Sequence, residues 1–251
     1  MAEHVIVFDS ETTGLSPTKN GVVAIGAIDP ITGDRFYEEC RIDANDEVNP
    51  YALQVNGFTE AEARDPDKEA QAELYLHFVE WCKAHNATAL AGYNVNFDIR
   101  FLKGVAKKNG LAWDLPTKYV DVEQVYMKEI FTNPRFDNEI NKYLLRTGED
   151  RNVRGVKMDH AMESLGMGKE PRPHNALTGA VFCAELLTLI TYGKHVAVEF
   201  DSYKIIKKLK DLHADITPYV KDIDLTKDVE DDKLNAQMKL IRSNKQRQKD
   251  F

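Results

Sequence analysis

The first part of the chain alternates short apolar runs with turn residues. Residues 5–8 (VIVF) are apolar at every position and residues 21–29 (GVVAIGAID) nearly so, which predicts two strands buried on both faces. A third strand is predicted at about residues 35–42, after the turn residues of 30–33. Because short turns join these three strands, the pattern indicates an antiparallel unit.

Helical and strand patterns alternate after this unit. Apolar residues recur at helical spacing between residues 60 and 83, although Asp65-Pro66 is expected to divide that segment. Residues 87–92 predict a buried strand, residues 98–108 a helix, and residues 118–122 a fifth strand. This order favours an α/β fold, with a mixed five-stranded sheet flanked by helices.

The chain changes character near residue 195. Residues 203–213 predict an amphipathic helix, and Leu234, Met238 and Ile241 predict a second one. An acid-rich stretch lies between them, and the chain ends in basic and polar residues. We therefore predict a domain of residues 1–195 and a charged helical C-terminal extension of residues 196–251.

Composition excludes several classes of protein. The 251 residues are 43% hydrophobic, which excludes a wholly disordered chain. The net charge of −8 argues against a protein that binds nucleic acid mainly through a broad basic surface. The three cysteines form no CxxC pair, so neither a disulfide framework nor a zinc site is predicted. No secretory leader and no apolar run of about 18 residues is present, so we expect a cytoplasmic protein with no membrane attachment.

Two acids stand at the end of the first predicted strand, in VFDSETTGL (residues 7–15). In an extended chain, Asp9 and Glu11 project from the same face while Ser10 points to the other. Two anions this close repel each other unless protons or cations compensate them, and Mg²⁺ and Mn²⁺ prefer such oxygen ligands. On residue types alone, a strand that becomes polar as it reaches solvent explains the pattern equally well.

Three motifs in a fixed order favour the cation site. They are Asp9-Ser10-Glu11-Thr12-Thr13-Gly14-Leu15, Gly92-Tyr93-Asn94-Val95-Asn96-Phe97-Asp98 and His174-Asn175-Ala176-Leu177-Thr178-Gly179. Through them the chain up to about residue 190 resembles the DEDDh-type 3′-to-5′ exonucleases, the family of the DNA polymerase III epsilon proofreading subunit and RNase T. The resemblance implies a ribonuclease-H-like fold. It also implies hydrolysis at the 3′ end of single-stranded DNA or RNA, with release of nucleoside 5′-monophosphates.

The resemblance also implies roles for individual residues. Asp9, Glu11 and Asp98 would hold two divalent cations, Mg²⁺ or Mn²⁺, and His174 would accept the proton of the attacking water. Residues 49–59 would help to hold the terminal nucleotide, and the implied substrate-binding residues are Thr12, Thr13, Gly14, Leu15 and Asn94. Tyr93 stands where the family usually has a histidine.

The family pattern fails at its last position. The third motif requires an acid five or six residues after His174, where this chain has Gly179 and Ala180. Glu185 cannot replace it, because it lies about 240° further round the helix than Gly179. Glycine in a helix also costs about 1 kcal/mol relative to alanine. A residue that breaks a local rule without visible gain is typical of a replacement, so one cation site is expected to be weakened.

Two explanations of Gly179 stay open. The chain is either a variant of a parent protein that carries aspartate there, or a naturally degenerate exonuclease retained for binding. The second corresponds to an alternative function, a non-catalytic 3′-end-binding module or polymerase accessory subunit. A polymerase or clamp partner is a further expectation. The terminal QRQKDF (residues 246–251) is similar to a sliding-clamp tail, although Lys249 stands where an apolar residue is wanted.

Overall fold

Six strands form one mixed sheet in the computed structural model, which describes residues 3–151, 153 and 155–226. The strands are β1 (Val5–Thr12), β2 (Val22–Ile28), β3 (Arg35–Glu39), β4 (Ala89–Gly92), β5 (Lys118–Asp121) and β6 (Val220–Asp222), in the order β3-β2-β1-β4-β5-β6. Antiparallel pairing joins β1, β2 and β3, as predicted, and also β5 and β6. β4 pairs in parallel with β1 and β5, so the mixed sheet is confirmed.

Helices flank this sheet on both faces. The α-helices are α1 (Pro50–Asn56), α2 (Glu60–Ala63), α3 (Gln71–Ala84), α4 (Asn96–Lys108), α5 (Val122–Tyr126), α6 (Asp137–Thr147), α7 (Met158–Ser164), α8 (Ala176–Tyr192) and α9 (Lys207–Lys210). A π-helical turn covers Met127–Phe131, and 3₁₀ turns cover Pro134–Phe136, Val198–Phe200 and Thr217–Tyr219. The predicted helical segment of residues 60–83 is divided at Asp65-Pro66, where α2 and α3 separate.

The side-chain alternation of β1 divides the core into two layers. Val5 and Val7 pack in the layer formed with α5 to α8, whereas Ile6 and Phe8 pack in the layer formed with α3 and α4. Odd-numbered positions of β1 therefore face α8, and even-numbered positions face α4.

The N-terminal end of α8 lies very close to the sheet. Asn175 caps the helix, because its side-chain oxygen accepts hydrogen bonds from the N–H groups of Leu177 and Thr178. Gly26 of β2 lies opposite Asp9 in the sheet, and a Cβ atom at Gly26 would come 2.1 Å from the Leu177 nitrogen. Gly26 thus allows the first turn of α8 to lie directly over Asp9.

We expect Gly26→Ala to destabilise the protein by about 1–3 kcal/mol, the usual cost of forcing an extra methyl group into a packed site. The backbone of α8 would have to move away from β2, since the clash is with main-chain atoms. Urea denaturation followed by circular dichroism measures the change. Gly33→Asn is the matched control: Gly33 has φ +82° and no atom within 4 Å of an added Cβ, so it should cost about 1 kcal/mol or less. Equal losses for the two variants would contradict the close approach of α8.

The segment after α8 differs from its prediction. The helix expected over residues 203–213 is only the single turn α9. Further along the chain, β6 adds a sixth strand to a sheet that was predicted to have five. Phe200 and Leu209 pack in the layer beneath α8, and Ile223 packs in the opposite layer. The boundary at residue 195 stays a prediction. The second predicted helix, around Leu234, and the terminal QRQKDF lie outside the described residues.

Cys40, Cys82 and Cys183 are buried free thiols. Among the described residues, no helix is both long enough and apolar enough to cross a membrane.

Candidate active site

Three carboxylates meet at one edge of the sheet. Asp9 and Glu11 lie on the odd-numbered face of β1, and Asp98 lies in the first turn of α4, the helix after β4. Because β1 and β4 are parallel neighbours, their carboxyl ends lie at the same edge of the sheet. Ser10 makes the connection: its N–H (3.1 Å) and its hydroxyl (2.6 Å) both donate to Asp98 Oδ1. Ser10 points to the face of β1 opposite to Asp9 and Glu11, as predicted, and this direction allows it to hydrogen-bond to Asp98.

Burial raises the pKa of all three acids. The pKa of Glu11 and that of Asp98 both rise to about 7, and that of Asp9 rises well above its usual value. Desolvation is the largest cause in each case, and the charges of Asp98 and Glu11 add to the shift at Asp9. Hydrogen bonds from Ser10 partly offset the effect at Asp98. The site therefore carries more negative charge than it can hold ionised without a compensating cation.

The metal-free protein should lose stability as the pH rises from about 4.5 to about 7. Folding raises the pKa of Glu11 from its ordinary 4.5 to about 7, so in this range the folded protein binds more protons than the unfolded chain. The free energy of unfolding then decreases with pH, by up to about 3 kcal/mol for one such group. Urea denaturation in EDTA at pH 4.5 and pH 8 measures this loss. Asp98→Asn should reduce it, whereas a stability that rises with pH would contradict the assignment.

His174 lies on the loop between α7 and α8, and that loop is fixed to α1. The N–H of His174 donates to the carbonyl of Val55 at 3.1 Å. Beside it, the ring of Pro173 lies 2.8 Å from the position that a Cβ atom of Gly57 would occupy. The loop thus has a fixed position against the end of α1.

The imidazole of His174 has a partner on each nitrogen. Nδ1 lies 2.7 Å from Glu170 Oε2, and Nε2 contacts the Arg172 guanidinium, which also donates to Asp159. Because a guanidinium can only donate, Nε2 accepts and Nδ1 carries the ring proton. The bond to Glu170 raises the pKa of His174, and in its protonated form His174 would lower the pKa of Glu11. The structure therefore places His174 near Glu11.

Gly179 lies in the first turn of α8, beside Asp9. A Cβ atom at Gly179 would come 2.2 Å from Asp9 Oδ2, so the carboxylate of Asp9 occupies the space where a side chain would begin. Any residue larger than glycine requires Asp9 to rotate. Glu185 is directed elsewhere: it is fully buried and its carboxylate contacts His195 Nδ1 at 2.6 Å and the N–H of Val196 at 2.9 Å. It does not replace the missing acid.

Glu170 is an acid of this site that the motifs did not identify. Its side chain is 3% exposed, and its Oε1 is buried with no hydrogen-bond partner among the described residues. The charge of Glu170 raises the pKa of both Asp9 and Glu11. Its sequence signal is an acid four residues before His174, a position that none of the three motifs includes.

The predicted substrate-binding residues differ in exposure. The hydroxyl of Thr13 is buried, donates to the Glu47 carbonyl at 2.9 Å and accepts from the N–H of Gly21 at 3.0 Å. Thr13 therefore holds the turn together rather than facing a ligand. Leu15, which is 36% exposed, and Asn94 both reach solvent. The backbone of Asn94 lies in the left-handed region, at φ +57°.

The Thr12 hydroxyl lies within the same turn and donates to the Gly14 carbonyl at 2.7 Å. A Cβ atom at Gly14 would come 2.4 Å from the Asn20 side chain, so a larger residue there would require Asn20 to move. The turn after β1 is therefore held by internal contacts of its own residues.

A compact group of potential metal ligands lies elsewhere on the surface. This group consists of Glu38, Glu69 and His77. Within the described ranges, it is the only set of three such side chains whose ligand atoms all lie within 4.8 Å of one another. The ligand atoms of Asp9, Glu11 and Asp98 are not all within that distance of one another.

The sequence matches one family model and resembles several bacterial proteins. The family model for RNase_T, described as "Exonuclease", matches residues 6–187. A DNA polymerase III PolC-type of Thermotoga maritima is 28% identical over 210 residues, which cover 82% of this chain but 13% of that protein. The PolC-type of Caldanaerobacter subterraneus subsp. tengcongensis is 31% identical over 108 residues, or 42% of this chain and 7% of that protein. The chain thus spans a small part of these relatives.

Solved structures show the same fold. The nuclease domain of 3′hExo, a DEDDh family member bound to rAMP, has a TM-score of 0.54 at 16% identity and covers 80% of this chain and 94% of that one. E. coli Exonuclease I in complex with a 5cy-dT13 oligonucleotide has a TM-score of 0.54 at 18% identity, covering 76% of this chain and 41% of that one. At these identities the similarity establishes the ribonuclease-H-like architecture.

Proposed function

The chain belongs to the RNase_T exonuclease family, of the DEDDh type, and from this we propose that it is a metal-dependent 3′-to-5′ exonuclease. Its substrate would be the 3′ end of single-stranded DNA or RNA, and its products nucleoside 5′-monophosphates. The observation that supports this best is the convergence of Asp9, Glu11, Asp98 and His174 at one edge of the sheet.

The residues of this site suit divalent cations. Asp9, Glu11 and Asp98 would hold two ions, Mg²⁺ or Mn²⁺, which prefer carboxylate oxygens. The raised pKa values of the three acids and the unpartnered Oε1 of Glu170 both indicate negative charge that lacks compensation. When bound, the ions would activate water and stabilise the charge on the departing 3′ oxygen.

The remaining roles belong to the protein's own groups. His174 would take a proton on Nε2 once Arg172 releases that atom, while Glu170 keeps the proton on Nδ1 in place. Leu15 and Asn94 would contact the terminal nucleotides, and Thr12 and Gly14 would shape the turn that receives them. In this proposal Thr13 acts only by holding that turn.

We attribute a lowered rate to Gly179. Without an acid at this position, one cation site lacks a ligand, and Asp9 turns into the free space. The same observation favours a second candidate, a 3′-end-binding module or polymerase accessory subunit that does not cut. A polymerase partner is supported by the PolC-type relatives, and a clamp partner by the terminal sequence alone. Three buried free thiols support a reducing, cytoplasmic location.

A cleavage assay separates the two candidates. Single-stranded DNA and RNA oligonucleotides labelled at the 5′ end are incubated with the full chain in Mn²⁺, and separately in EDTA. We expect a ladder of products shortened from the 3′ end in Mn²⁺ only. Retained binding in a mobility-shift assay, with no ladder on either substrate, would instead establish the binding module.

A further inference from the structure

We propose that Glu170 is a further carboxylate ligand of the cation site, which compensates in part for the acid that position 179 lacks. This inference rests on the proposed metal-dependent function. It assigns the ligand to the loop before α8 rather than to α8 itself.

Glu170 is held in a fixed position with one oxygen uncommitted. Its N–H donates to Asp159 Oδ1 at 3.1 Å, and its Oε2 accepts from His174 Nδ1 at 2.7 Å. Oε1 is buried and has no hydrogen-bond partner among the described residues. A buried carboxylate oxygen without a partner costs free energy, and a cation bound to it would remove that cost.

Two hydrogen bonds place the loop of Glu170 beside the proposed cation ligands. The N–H of His174 donates to the Val55 carbonyl, and the side chain of the next residue, Asn56, donates to the carbonyl of Thr12, which follows Glu11. The effect of the Glu170 charge on Asp9 and Glu11 agrees with this position, and a further acid is unfavourable among these acids unless a cation is shared. Position 179 supplies no acid in this chain, and Asp9 Oδ2 lies 2.2 Å from where a side chain there would begin.

The two oxygens of Glu170 would then have different partners. Oε2 orients the imidazole of His174, and Oε1 faces the cation. A carboxylate that contacts both groups would fix the position of the His174 imidazole, the proposed proton acceptor, relative to the cation. Cation binding and the orientation of His174 are therefore coupled through one residue.

Isothermal titration of the full chain with Mn²⁺ alone tests this assignment. Glu170→Gln keeps the shape of the side chain and removes its charge, and it should weaken Mn²⁺ binding about 10-fold or more. Glu163→Gln is the matched control, because Glu163 pairs with Lys169 at 3.2 Å on the surface. Its affinity for Mn²⁺ should equal that of the parent chain.

A second variant separates ligation from positioning. His174→Asn removes the imidazole and keeps the Glu170 carboxylate, so its Mn²⁺ affinity should stay within about 3-fold of that of the parent chain. This change is smaller than the loss of about 10-fold or more expected when a ligand is removed. If Glu170→Gln also binds Mn²⁺ as the parent does, Glu170 only positions His174 and the proposal is wrong.

Thermal unfolding gives an independent readout. Without metal, Glu170→Gln should melt at the same temperature as the parent chain or higher, because it lacks a negative charge that the neighbouring acids repel. Mn²⁺ should raise the Tm of this variant less than it raises the Tm of the parent chain. Should this variant fail to fold, Glu170→Asp keeps the charge but withdraws Oε1, and it too should weaken Mn²⁺ binding. Parent-like affinity in that variant would overturn the proposal. A parent chain that binds no Mn²⁺ at all would instead refute the metal-dependent function itself.

Discussion

Gly179→Asp should raise the rate of 3′-terminal hydrolysis about 100-fold, equivalent to about 2.7 kcal/mol of transition-state stabilisation. The new carboxylate would stand in the first turn of α8, where the helix dipole favours negative charge. Asp9 would have to rotate, because its Oδ2 lies 2.2 Å from the new Cβ, and this is a change at the end of one side chain. Single-turnover cleavage of a labelled oligonucleotide in saturating Mn²⁺ measures the rate.

Gly179→Asn is the matched control for that experiment. It adds a side chain of the same size and displaces Asp9 equally, but it supplies no negative charge. We expect it to show no gain in rate. An equal increase in both variants would mean that the position of Asp9, rather than a missing ligand, limits the parent chain.

Asp9→Asn should have opposite effects on activity and on stability. The rate of cleavage should fall at least about 1000-fold, since the acid expected to serve both ions contributes several kcal/mol. The metal-free protein should become more stable at pH 8, because burial and the charges of Asp98 and Glu11 make the ionised form of Asp9 unfavourable. Cleavage kinetics and urea denaturation in EDTA measure the two effects.

Asp67→Asn serves as the control, because Asp67 is exposed on the loop between α2 and α3. Neither its activity nor its stability should change. If Asp9→Asn lowered stability in EDTA, the site would not be a repulsive cluster of charges, and the proposed need for cations would lose its support.

The fold could be predicted largely from local patterns. The strands that were identified are buried apolar runs, and the divided helix results from Asp65-Pro66. β6 was missed because Val220–Asp222 is three residues long, includes two exposed residues and becomes a strand only by pairing with β5. The predicted helix of residues 203–213 is only the single turn α9, although its apolar residues Ile205, Ile206, Leu209 and Leu212 do pack against the core formed with α8.

The candidate residues of the site follow from the motifs. Order and spacing select Asp9, Glu11, Asp98 and His174 as candidates, and the alternation along β1 puts Asp9 and Glu11 on one face and Ser10 on the other, as in the structure. Glu170 was not identified, because its place beside His174 depends on how the loop before α8 folds. Local pattern likewise could not show that the Thr13 hydroxyl is used inside the turn.

Product identification from an oligonucleotide with a unique 3′-terminal nucleotide tests the central claim most directly. The parent chain and Gly179→Asp are each incubated with this substrate and Mn²⁺, and the earliest products are separated by chromatography. We predict that the first product is the 5′-monophosphate of the 3′-terminal nucleoside, formed faster by Gly179→Asp and not at all in EDTA. Release from the 5′ end, or no monophosphate from Gly179→Asp while the substrate is bound, would contradict the assignment of this site as a 3′-to-5′ exonuclease centre.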